Sequence, residues 1–151
     1  MCGLAATIAA VLAATAATAA PLRGTSLSPT AYRAKASSIC RTTYAKAKAL
    51  PQPTRTRASW IRYYKRFLSV GRSELSQLRA LDPPASLRAN HRRVTRIIAA
   101  EIDLIHTMLV KIQRGGDPLA VFRANSARGT KLDGEENAVW RKLGVSACAQ
   151  G

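Results

Sequence analysis

The chain has few residues whose type and spacing could support catalysis or metal binding. Asp103 and His106 are three residues apart and would share one face of a helix. Two side chains are fewer ligands than a metal site needs, so we interpret this pair as exposed. The sequence also lacks the motifs of serine hydrolases, zinc proteases and phosphate-binding loops. We therefore expect a non-enzymatic protein without a metal or cofactor.

Glu101 is the most unusual charged residue, because the helical repeat places it on an apolar face with Val94, Ile98 and Ile105. A buried carboxylate requires a partner. Arg128, on the apolar face of a later helix, is the candidate, and the sequence predicts a buried Glu101–Arg128 ion pair. We interpret this pair as structural, with an acid/base role as the alternative.

Residues 1–19 predict a secretory signal peptide. They contain no charged side chain and close on Ala17-Thr18-Ala19, a small-x-small cleavage signal. A retained membrane anchor is the alternative interpretation. Residues 20–27 are a short leader, and residues 28–151 form one domain. The predicted location is extracytoplasmic, either secreted or associated with the cell envelope.

The three cysteines are Cys2, Cys40 and Cys148, and removal of the signal peptide would leave the last two. Two cysteines in an oxidising compartment have one possible pairing. The sequence therefore predicts a Cys40–Cys148 disulfide. Closing a loop of about 100 residues stabilises a fold by up to roughly 4.7 kcal/mol in the chain-entropy model.

The formal net charge is +16, from 24 Lys and Arg and eight Asp and Glu residues. Such a charge favours binding to anionic envelope polymers or lipid headgroups. The alternative is a composition bias whose charge only keeps the protein soluble. The candidate anion-binding surface consists of Arg55, Arg57, Arg62, Lys65, Arg66, Arg88, Arg92, Arg93 and Arg96.

Aromatic residues interleave with the first of these cations, as in a stacking platform for nucleic acid. Trp60 and Tyr64 also lie on an apolar helical face, which favours core packing and leaves Tyr63 as the free aromatic residue. We do not expect nucleic acid as a partner.

Four amphipathic helices are predicted, with short connections and no strand-like alternation. Their start signals are Ser28-Pro29, Thr54 or Thr56, Ser86, and Asp117-Pro118, and their stop signals are Pro51, Asp82, Gly115 and Gly144.

The fourth helix is the least regular, because Gly129 and Gly134 each weaken it by about 1 kcal/mol relative to Ala. Its predicted inner face consists of Val121, Ala124, Arg128, Leu132, Glu136, Val139 and Leu143, with Phe122 and Trp140 on the flank.

The predicted fold is an all-α, up-down-up-down four-helix bundle. This arrangement limits how the disulfide can form. Cys40 would lie about 16 Å along the first helix, whereas the segment from Gly144 to Cys148 reaches at most about 13 Å. The tail must therefore run back along the first helix, or the helices must be staggered.

The chain resembles a loosely defined set of small secreted or lipid-anchored actinobacterial proteins of unknown function. The matching residues are Ile39-Cys40, Leu81-Asp82-Pro83-Pro84, Gly116-Asp117, Leu143-Gly144 and Cys148. The resemblance covers most of the predicted mature chain. It implies a helical fold with one disulfide, and it implies no activity.

Charge and predicted compartment together favour a secreted helical protein, expected to be a monomer, that binds anionic envelope polymers or lipid headgroups. The alternative is a small-ligand carrier that uses the bundle interior. A roomy apolar cavity lined by Glu101 and His91 would distinguish the carrier.

Overall fold

The computed structural model describes residues 26–149, so the predicted signal peptide and most of the leader lie outside the described residues. It contains four α-helices and a C-terminal 3-10 helix, and no strand occurs between residues 26 and 149. The predicted all-α bundle is confirmed. The elements are α1 (Pro29–Lys48), α2 (Arg57–Arg79), α3 (Ala85–Gln113), α4 (Pro118–Leu143) and the 3-10 helix Ser146–Cys148.

Polar side chains cap three of the four helix starts, as predicted. Ser28 Oγ accepts a hydrogen bond from Ala31 N at 3.2 Å, and Asp117 Oδ1 accepts one from Ala120 N at 2.8 Å. Of the two candidate threonines before α2, Thr56 is the cap. Each cap satisfies a backbone N–H that has no partner inside its helix.

The start of α3 differs from the prediction. Pro84, with φ −61° and ψ 155°, occupies the cap position and makes no side-chain capping bond. The predicted cap, Ser86, lies inside the first turn. Pro84 has the extended backbone of a cap residue, so the helix begins at Ala85, before Ser86 can act as a cap.

α3 is the central helix of the bundle. It packs on both α2 and α4, while α1 packs on α2 and on the C-terminal 3-10 helix. α3 accordingly contributes the largest number of buried residues, from Leu87 to Ile112.

One end of the bundle is tightly closed, and we call it the closed end. Tyr32, Trp140, Leu143 and Val145 are completely buried there. Leu27 N donates a hydrogen bond to Asp82 O at 2.9 Å, which brings the start of α1 to the α2–α3 connection.

The opposite end, which we call the open end, leaves large apolar side chains in solvent. Tyr44 near the end of α1 and Leu119 and Phe122 at the start of α4 are each about half exposed, at 54%, 49% and 49%. Arg57 Nη2 donates to Gly115 O at 2.9 Å, so the start of α2 and the end of α3 meet at this end.

The two cysteines are brought together by both of the predicted arrangements, a stagger of the helices and a tail that runs back along α1. α4 ends beside Arg33, whose Nε donates to Leu143 O at 2.9 Å, so α4 stops about one turn inside α1. Gly144 then turns the chain with φ 71°, Val145 N donates to Trp140 O, and the 3-10 helix runs along α1. Cys40 and Cys148 are joined, with their Cα atoms 5.2 Å apart.

The inner face of α4 differs from the predicted face by about one residue in its first half, whereas Leu132, Glu136, Val139 and Leu143 lie inward as predicted. Ala124 and Arg128 are exposed, whereas Asn125 and Gly129 are half-buried and Trp140 is fully buried. The predicted face was wrong there because the two inward positions, Asn125 and Gly129, are not apolar and so do not appear in the apolar repeat.

Candidate functional site

All nine residues of the predicted anion-binding surface are exposed. Arg57 hydrogen-bonds a backbone carbonyl at the open end, and Arg88 lies 3.9 Å from Asp82. That is the single salt bridge found among residues 26–149, so the other cations of this surface have no carboxylate partner there. The α2 members lie toward the open end and the α3 members toward the closed end.

The predicted Glu101–Arg128 ion pair is wrong. Arg128 is exposed and makes no salt bridge within the described part of the chain. Glu101 instead lies beside Glu136 of α4, close enough for the two carboxyl groups to affect each other's pKa. The first half of α4 explains the error, because it turns Arg128 toward solvent, while Glu136 lies inward as the helical repeat predicted.

Three glutamates from three helices meet in the bundle interior, and we call them the carboxyl cluster: Glu74 of α2, Glu101 of α3 and Glu136 of α4. A small cavity of about 100 Å³ is lined by Glu74 and Glu101. The α1 residues on this cavity are Thr43 and Ala47, which carry no charge. No cation therefore faces the cavity from α1.

Burial sets the proton affinity of the carboxyl cluster. It raises the pKa of Glu74 to about 7, with a further contribution from repulsion by Glu136. Burial raises the pKa of Glu101 to about 9, aided by repulsion from Glu136 and by their hydrogen bond. Burial also raises the pKa of Glu136, but hydrogen bonds from Glu101 and from Trp140 Nε1, at 2.7 Å, oppose this rise. Because its pKa is about 9, Glu101 carries a proton at neutral pH, and this proton can be donated to Glu136.

His91 belongs to the closed end and takes no part in the carboxyl cluster. Its Nδ1 lies 3.0 Å from Tyr32 Oη, and the two rings meet edge to face. Burial lowers the pKa of His91, so the ring is neutral at pH 7 and shares one hydrogen bond with the tyrosine hydroxyl. The buried imidazole is therefore satisfied by a structural partner.

A larger cavity of about 520 Å³ opens between α2, α3 and α4 at the open end, and we call it the aromatic cavity. The predicted feature of a ligand carrier was a cavity lined by Glu101 and His91, and neither residue lines this one. Tyr64 is buried and Trp60 is partly buried, as predicted, but Tyr63 also lies on the cavity wall. The aromatic residues of the lining are Trp60, Tyr63, Tyr64, Phe67 and Phe122.

The aromatic cavity and the carboxyl cluster are neighbours, because Phe67 and Ile105 line both cavities. Sequence reasoning missed this arrangement. The available signal was the position of Glu74, which lies at helical spacing between Phe67, Gly71 and Leu78 on the inner face of α2. Gly129 gave no signal of its inward position, since glycine has no side chain to mark a face.

Asp103 and His106 are both exposed, as predicted. Across residues 26–149, no group of three or more His, Cys, Asp or Glu side chains is arranged to hold a metal ion. Within the same range, no helix is long and apolar enough to cross a membrane.

No protein-family model, curated protein or solved structure matches the chain. The resemblance to small actinobacterial secreted proteins therefore stays a prediction.

Proposed function

We propose that this protein is a non-enzymatic, extracytoplasmic binder of the anionic groups of envelope polymers or lipid headgroups, acting through exposed cations on α2 and α3. The observation that carries the proposal is the shortage of surface carboxylates beside these cations. Within the described chain only Arg88 of this surface has a carboxylate within 4.0 Å. An anion that approaches the others does not have to displace an internal carboxylate.

The location of the acidic residues adds to the excess of positive charge on the surface. Three of the eight acidic residues form the interior carboxyl cluster, where they cannot neutralise surface cations. α2 carries Glu74 as its one acidic residue, and α3 has none before Glu101. The exposed charge of these two helices is therefore almost entirely positive.

The arrangement of the cations favours an extended anionic partner. The α2 and α3 clusters lie toward opposite ends of an antiparallel helix pair, so a compact anion would contact one cluster at a time. A polymer or a lipid surface presents many charges and engages both clusters together. The joined cysteines support an oxidising compartment, which is consistent with the predicted signal peptide.

The test compares two triple variants that each remove three positive charges. The first is Arg62→Ala with Lys65→Ala and Arg66→Ala on α2. The matched control is Lys35→Ala with Lys46→Ala and Lys48→Ala on α1, whose side chains are also exposed. We expect binding to vesicles containing anionic phospholipid, or to soluble polyphosphate, to fall at least tenfold for the α2 variant and less than threefold for the control.

The two binding arms separate the sources of the anion. Binding to vesicles but not to polyphosphate would assign a lipid headgroup, and the reverse would assign a polymer. Binding in either arm should weaken steeply with added salt, because the contacts are exposed and screened. Salt-independent retention, or an equal loss in the two variants, would contradict the proposal.

A further inference from the structure

The aromatic cavity differs in chemistry from the rest of the surface. The chain contains 24 Lys and Arg and eight Asp and Glu residues, yet none of the 14 residues that line this cavity is charged. Its volume, about 520 Å³, lies within the range of about 300–1,000 Å³ that is usual for small-molecule sites. A charged ligand would lose hydration on entry without gaining an opposite charge.

The α2 wall of the cavity is built from aromatic rings that hold one another in place. The rings of Tyr63 and Phe67 are stacked with centroids 6.0 Å apart, and Tyr63 meets Tyr64 edge to face at 5.7 Å. The ring centroids of Trp60 and Tyr64 are 5.8 Å apart. Rings fixed by such contacts lose little freedom when a ligand packs on them.

The α4 wall carries uncharged hydrogen-bonding groups. Asn125 and Ser126 each donate to a backbone carbonyl of their own helix, and their side-chain oxygen atoms remain able to accept. Thr130 lies one turn further along the same wall. The cavity thus pairs a broad apolar face with a narrow polar one.

We propose that the aromatic cavity binds an uncharged, mainly apolar small molecule that carries one hydrogen-bonding polar end. The apolar body lies against the α2 rings, and the polar end faces Asn125 and Ser126. This site is separate from the basic surface and does not depend on its function.

A second copy of the chain is a poorer occupant. Arg123 and Arg128 are exposed on α4, each next in sequence to a residue that lines the cavity, and each copy carries a net charge of +16. Docking two copies at this face would bring like charges together. A small neutral molecule brings no such repulsion.

Gly129 provides a sharp test. A Cβ atom built on Gly129 meets no atom within 4 Å, although the residue lines the cavity. Gly129→Leu therefore fills the cavity without a backbone clash and replaces glycine with a better helix former. Gly134→Leu is the matched control, because Gly134 also has open space, lies in the same helix and does not line the cavity.

The experiment titrates the full chain with Nile red, a neutral dye whose emission shifts to shorter wavelength in an apolar site. We expect saturable binding at one site, at least tenfold weaker in Gly129→Leu and within twofold of wild type in Gly134→Leu. Circular dichroism should show both variants folded. The affinity should not change with salt concentration, whereas binding to polyanions should, so the two proposals fail independently.

Several outcomes would overturn the proposal. These are no saturable binding, an equal loss in both glycine variants, or a concentration-dependent dimer that only Gly129→Leu abolishes, which would make this face an interface between copies. Dye binding to a chain that begins at Ala20, but not to the full chain, would show that the N-terminal segment occupies the cavity.

Discussion

Glu101 shows how a single interior side chain links the fold to pH. Its carboxyl group faces Glu136, Glu74 and Asp133, and within the described chain no cation lies within 4.0 Å of it. The folded protein therefore holds a proton that the unfolded chain releases near pH 4.5. Because the pKa of Glu101 is raised on folding, the stability that its bound proton contributes is fully present below the unfolded pKa of 4.5. It is lost as the pH rises through the folded pKa of about 9.

We expect Glu101→Gln to remove much of this pH dependence. The amide of Gln donates to Glu136 without a titrating proton, so the variant should match wild type near pH 5 and exceed it near pH 9. One pKa unit corresponds to about 1.4 kcal/mol. Discounted for partial solvent screening, the gain at pH 9 is about 2 kcal/mol. This corresponds to an increase of roughly 8 °C in melting temperature.

Melting curves between pH 5 and pH 9 provide the measurement. Asp103→Asn is the control, because Asp103 is an exposed carboxylate on the same helix and its loss should leave the slope unchanged. A wild-type melting temperature that is constant across this range would show that Glu101 is ionised in the folded protein.

At the scale of single elements, the end of α4 depends on one backbone conformation. Gly144 has φ 71°, and a Cβ atom there would lie 2.9 Å from Arg33 Nε, which donates to Leu143 O. Gly144→Ala should therefore lose about 1–2 kcal/mol, from strain and from the displaced hydrogen bond.

Urea unfolding followed by circular dichroism measures this loss. Gly134→Ala is the comparison: it lies inside α4 with open space around it and should gain about 0.5–1 kcal/mol. Equal effects of the two substitutions would mean that the α4 cap is not under conformational constraint.

The helix boundaries were largely predictable, whereas the inward face of the first half of α4 was not. Ser28, Thr56 and Asp117 are local signals, because each cap acts on backbone atoms of its own helix. The face that α4 turns inward depends on which side chains α2 and α3 present. Asn125 and Gly129 border a cavity, so the apolar repeat contained no trace of their position.

At the scale of the whole molecule, the disulfide joins residues 108 positions apart and fastens α4 to α1. Cys40→Ala with Cys148→Ala should lose about 2–5 kcal/mol of stability. Chemical unfolding with and without reductant checks this value. Reductant should destabilise wild type by a similar amount and leave the double variant unchanged; a double variant as stable as oxidised wild type would contradict the prediction.

The whole-molecule features were predictable to different degrees. The pairing of Cys40 with Cys148 followed from cysteine counting, and it is confirmed. The carboxyl cluster was not predicted, because it requires Glu74, Glu101 and Glu136 to converge from three helices. Only the three-dimensional packing shows that these acids are withdrawn from a basic surface.

The position of the closed end determines how the molecule would be oriented when it is tethered to a support. The described chain enters at Ser26, beside the closed end, and leaves at Ala149, next to the disulfide about halfway along α1, which is about 30 Å long. A tether joined to the N-terminal side of the described chain would hold the closed end against the support, whereas a C-terminal tether would attach to the side of α1. With the N-terminal tether, the aromatic cavity would lie toward the far end of the bundle, about one helix length from the attachment point.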